Sequence, residues 1–132
     1  MTQEELKQLE TAKASETPEE GAVRWIKGLL NTKELQTTNQ LGNKIEGYCC
    51  LGYGCVIEGI RHYNETNTGS TEEYKSFRDA VGLTNQGESS CIDYNDFSNY
   101  SFEQIADRLI KSPSSHFKNK SIADAIRKEF RS

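Results

Sequence analysis

The stretch that most restricts this chain is Cys49–Ile60, CCLGYGCVIEGI, a run of small and aliphatic residues with helical character that also carries Gly52 and Gly54. Each glycine costs a helix about 1 kcal/mol relative to alanine. Something must offset that cost, and close approach of another backbone to this helix face is the expected compensation.

Local punctuation places the other elements. Thr17-Pro18-Glu19-Glu20 opens a helix: Thr17 caps, Pro18 suits the first turn, and the glutamates favour the positive end of the dipole. Its apolar face is Ala22, Val23, Ile26, Leu29 and Leu30, and Asn31 stops it. From Glu34 to Tyr48 the helical period disappears. The Gly42-Asn43 pair then predicts a β-hairpin with arms Leu35–Leu41 and Lys44–Tyr48. Residues 61–70 read as a polar loop, and Thr71-Glu72-Glu73 starts a helix with Tyr74, Phe77 and Val81 on one side, ended by Gly82. Ser90–Tyr94 is compatible with a strand. Ser101-Phe102-Glu103-Gln104 is a capping box that opens a further helix, closed before Pro113, and Ser121 is the expected cap of the last one. The expected fold is a single-domain α+β protein, a small antiparallel hairpin or sheet packed by four to five short helices. Its parts are an acidic arm or short helix over residues 1–16, a core over 17–112 and a basic C-terminal helix over 113–132.

Only 34% of the 132 residues are hydrophobic, enough for one modest core, so a homo-oligomer, dimer or tetramer, is expected. The net charge of -4 argues against a nucleic-acid coat or a membrane-surface protein, and no DNA or RNA partner is expected. The charge is uneven: residues 1–20 hold six acids and two bases, residues 111–132 six bases and two acids. The basic end suits either an anionic ligand or the acidic end of a neighbouring subunit. No apolar run approaches a membrane span and the N-terminus is acidic where a signal peptide is basic, so a cytoplasmic protein is expected. Cys49, Cys50, Cys55 and Cys91 are then expected to be thiols.

Catalytic signatures are scarce. The cysteine spacings do not match zinc pairs, and buried structural thiols are the expected reading, ahead of a metal site or a nucleophile. His62 and His116 have no evident partners, and no nucleophile elbow, P-loop or His-Glu-x-x-His occurs. Asp93, Asp96, Asp107 and Glu103 form at most a carboxylate cluster for magnesium, and such residues more often cap turns and coat helices. No catalytic residue, metal or cofactor is expected. Aromatic and basic residues are better represented: aromatic faces stack on bases, and Arg or Lys pairs with phosphates. The candidate ligand-binding residues are Trp25, Lys27, Lys44, Tyr48, Tyr53, Arg61, Asn95 and Asp96. Trp25 also suits the core, and Asn95-Asp96 serves equally as a turn or as a reader of a base edge.

Three pieces, in order, resemble a family of small tailed-phage accessory proteins: Trp25 with Gly28-Leu29-Leu30, then Tyr48-Cys49-Cys50-Leu51-Gly52 with Cys55, and finally Asn95-Asp96 with Ser101-Phe102-Glu103-Gln104-Ile105-Ala106-Asp107. The chain departs from that pattern at Tyr53-Gly54 and in its longer basic C-terminal extension. The resemblance implies origin, an accessory protein acting in the cytoplasm of an infected bacterium, and carries over no catalytic residue. That setting, with the aromatic and basic inventory, leads to one expected function: binding and sequestering a small anionic ligand, a cyclic nucleotide defence signal, without hydrolysing it. The alternatives are a stoichiometric inhibitor of a host or defence protein, and a metal-dependent phosphodiesterase that destroys the signal.

Overall fold

A computed structural model describes residues 17–43, 45–63, 67 and 69–130; the arm expected over 1–16 lies outside them, as does Lys44. Among the described residues the order is α1 (Pro18–Asn31), β1 (Gly42–Asn43), β2 (Gly47–Tyr48), α2 (Cys50–Ile57), α3 (Thr71–Val81), α4 (Asn85–Asp96), α5 (Phe102–Lys111), a 3-10 turn (Pro113–Ser115) and α6 (Lys120–Glu129). The chain is a small α+β single-domain fold, as its punctuation implies.

Helix α2 is the centre of the molecule, buried along all eight residues. The backbone approach expected at this helix face is present at Gly52, whereas Gly54 makes room for side chains. A Cβ on Gly52 would lie 1.9 Å from the Leu41 carbonyl oxygen, and one on Gly54 would lie 2.3 Å from the Phe77 ring. Any larger residue would push the 41–43 backbone or Phe77 off the helix. Around α2, helix α1 packs on α5 and α6, and α3 closes the far side. Trp25 and Phe77 meet edge to face at 4.9 Å, joining α1 to α3 through the gap that Gly54 leaves.

Capping boxes form at both predicted starts. Thr17 Oγ1 accepts from Glu20 N, and Ser101 Oγ accepts from Gln104 N while Gln104 Oε1 accepts from Ser101 N at 2.9 Å. Gly82 ends α3 in the left-handed region, φ +72. The last helix begins two residues earlier than expected, at Lys120 after Asn119, and Ser121 instead donates to Glu19 Oε1 at 2.8 Å, tying α6 to α1.

Two expectations need correction. Ser90–Tyr94 is not a strand but the middle of α4. Its buried positions, Gly87, Cys91 and Asn95, recur every four residues, a helical period carried by small and polar side chains that hydropathy overlooks. The hairpin is also displaced. Gly42 pairs with Tyr48 and Asn43 with Gly47, so Gly42-Asn43 is the first strand rather than the turn. Asn43 Oδ1 accepts from Ile45 N and Glu46 N, both at 2.9 Å, and this side-chain turn moves the reversal two residues on. Residues 35–37 flank β2 on its other side, with Tyr48 N donating to Leu35 O and Thr37 N donating to Tyr48 O.

Candidate functional site

The end of α2 delivers one arginine to a buried corner. After Ile57 the chain turns through Gly59 at φ +69, and the Cys55 carbonyl accepts from both Ile60 N and Arg61 N. Arg61 is thereby directed back under the surface, with its side chain 1% exposed. Its Nη1 donates to Glu73 Oε2 and to Asn67 Oδ1, each at 2.9 Å, and to Glu73 Oε1 at 3.2 Å. Glu73, in the first turn of α3, is positioned by Ser70, whose hydroxyl donates to Oε1 at 3.3 Å. The other side of the guanidinium is empty-handed: Arg61 Nε and Nη2 are buried without a hydrogen-bond partner.

Such a group calls for an explanation. A buried polar group left unpaired costs about 1–3 kcal/mol, and more when it is charged. Nearly all buried polar atoms in folded proteins therefore have partners, with water or a ligand supplying those the chain does not. The corner lies just below the surface, since Asn67 and His62 are exposed. Tyr48 and Tyr63 stand beside it with ring centroids 6.5 Å apart. Tyr48 donates to the Tyr63 carbonyl, and Tyr63 donates to Glu34 Oε1, both at 3.2 Å. Burial, then the Glu34 charge, pushes the Tyr48 phenol far above its ordinary range, and burial does the same to the Cys55 thiol. Both groups are neutral in the folded protein at physiological pH.

The remaining sequence candidates do not gather into one pocket. Trp25 is fully buried, its indole N–H donating to Cys50 O at 3.0 Å, and Tyr53 lies in the core against the Phe102 ring at 5.8 Å. Lys27 is exposed on α1 and pairs with Glu129 of α6. Asn95 is a structural staple. Its Oδ1 accepts from Gln36 Nε2 and Cys50 N, and its Nδ2 donates to Thr37 O at 2.7 Å, while Asp96 Oδ1 accepts from Asn39 N at 3.0 Å. Together they fasten the 36–39 segment across the start of α2. Of the seven candidates among the described residues, only Tyr48 and Arg61 share the corner.

A second cluster, which sequence reading did not single out as a site, lies on α5. Tyr94 and Tyr100 stack at 5.7 Å, and Arg108 sits 5.3 Å from the Tyr100 centroid with its Nη2 donating to the Tyr100 hydroxyl. An open cleft of about 300 Å³ is lined there by Tyr100, Gln104, Asp107, Arg108 and Lys111. Behind it His116 Nδ1 faces the Ser112 carbonyl at 2.8 Å and so donates, leaving Nε2 to accept from the Tyr94 hydroxyl at 3.1 Å. The spacing Arg108–Lys111 was the available signal.

The four cysteines are buried free thiols. Burial raises Cys49, and the contact with Cys91 followed by burial raises Cys50. The described residues bring together no three His, Cys, Asp or Glu side chains able to hold a metal ion, and among them no helix is long and apolar enough to cross a membrane. Comparison with protein-family models, with curated proteins and with solved structures finds no match.

Proposed function

We propose that the protein binds a small nucleotide, a cyclic nucleotide defence signal, and sequesters it intact, with Arg61 as the residue that holds it. One observation carries this reading: the unpartnered Nε–Nη2 edge of a guanidinium whose side chain is 1% exposed. This edge presents parallel N–H donors, the arrangement that accepts planar two-acceptor groups. Tyr63, half-buried and beside the Tyr48 ring, is the aromatic face nearest the surface there.

The surroundings favour binding over cleavage. Tyr48 and Cys55, the groups beside Arg61 with nucleophilic atoms, are kept protonated by burial, so neither supplies an anionic nucleophile. The resemblance to small tailed-phage accessory proteins supports the setting, the cytoplasm of an infected bacterium, and a homo-oligomer remains the proposed assembly. The test is to incubate the purified chain with a panel of cyclic mono- and dinucleotides, measure free ligand by chromatography, then heat-denature the protein. Depletion followed by recovery of intact ligand is the expected result. Linear products would replace this reading with a phosphodiesterase.

A second reading has its own support. Leu35, Ile45 and Phe97 are 67%, 70% and 74% exposed, large apolar side chains of the kind that meet a protein partner. Failure to deplete any nucleotide, with capture of a host or defence protein abolished by Phe97→Ser, would favour the inhibitor.

A further inference from the structure

Resting on the nucleotide reading above, we infer that Arg61 reads the base of the ligand and not its phosphate, and that the base is guanine. The charge around the corner decides the first point. Glu73 already binds Nη1 with both carboxylate oxygens. Glu58 lies opposite Arg24 at 3.4 Å, and Glu34 accepts from Tyr63. Among the described residues, three carboxylates therefore stand against the two guanidiniums of Arg24 and Arg61. A phosphate placed on the free edge would add negative charge to a corner whose described residues hold no positive excess, in surroundings that screen poorly. What the edge lacks is acceptors, not charge.

A neutral group with two adjacent acceptors fits that need. Guanine presents O6 and N7 side by side, the usual partner of an arginine fork. Adenine places its N6 amino donor next to N7, so one of its two atoms would face the Arg61 donors with a donor of its own. Cytosine offers O2 and N3, but a smaller ring face for Tyr63 to contact.

Calorimetric titration of the full chain with cyclic GMP, cyclic AMP and cyclic CMP, and with cyclic di-GMP against cyclic di-AMP, measures the preference. The guanine ligand of each set is expected to bind about tenfold or more tightly than the others. The 7-deaza analogue of the guanine ligand, which lacks the N7 acceptor, is expected to lose about tenfold on the unaltered protein. Arg61→Lys, checked by circular dichroism, is expected to lose the preference. Equal affinity across bases, a match by the cytosine ligand, or displacement of bound guanine nucleotide by inorganic phosphate would overturn the base assignment and leave sequestration standing. Retention of no nucleotide at all would overturn both.

Discussion

The Arg61 corner and the Tyr94–Tyr100–Arg108 ladder are opposite solutions to placing a cation beside aromatic rings. On the ladder, every polar head has a partner or water: Arg108 bonds Tyr100, Tyr94 bonds His116, and His116 bonds Ser112. In the corner one guanidinium edge has no partner within the protein. An open cleft is thus no measure of demand for a ligand, because solvent satisfies exposed donors at little cost, whereas a buried donor keeps its full penalty until something fills it.

That contrast is open to direct attack, and the largest effect belongs to the corner. Glu73→Ala removes the only charge partner of Arg61 among the described residues, and is expected to destabilise the fold by about 3 kcal/mol, read from urea unfolding. A loss below about 1 kcal/mol would mean that Arg61 is better hydrated than its burial implies. Next comes the alkaline limb. Burial holds Cys55 above its ordinary value of 9.0, so the unfolded chain releases this proton first. Stability is fully present below about pH 9 and falls as pH rises beyond it, each such group contributing about 1.4 kcal/mol per pH unit. Cys55→Ala should flatten that limb by one group's share.

On the ladder the effects are smaller. Tyr94→Phe leaves His116 Nε2, which is buried, without its donor and is expected to cost about 1 kcal/mol in thermal or urea unfolding. Arg108→Ala removes an exposed stack on Tyr100 and is expected to cost less than about 1 kcal/mol. If Arg108→Ala, and not Arg61→Lys, abolished nucleotide depletion, the ligand would belong to the cleft and the two regions would exchange roles.

The parts of the fold that were legible depend on short-range chemistry. Thr17 and Ser101 cap helices through side chains that reach three residues ahead, and Gly82 ends α3 through its own backbone. The compensation required at Gly52 was legible too, although not that Leu41 would provide it. Ser90–Tyr94 was misread because α4 buries glycine, cysteine and asparagine, and Asn95 contributes hydrogen bonds where the hydrophobic pattern looks for apolar area. The aromatic candidates are ambiguous in the sequence for a related reason. Trp25 and Tyr48 combine a large apolar face with one polar atom, a combination equally suited to a pocket wall and to a core in which one carbonyl accepts that atom's hydrogen.

The sequence by itself determined the helix starts, the need for close packing on Cys50–Ile57 and the presence of an arginine just after it, because propensity, capping and glycine cost act within a few residues. Only the tertiary structure decided which aromatics are core, that Asn95 is a staple, and that one edge of Arg61 is buried without a partner in the protein. Burial and hydrogen-bond satisfaction are set by residues far away in the chain, such as Glu73 for Arg61 and Thr37 for Asn95, which no local pattern brings together.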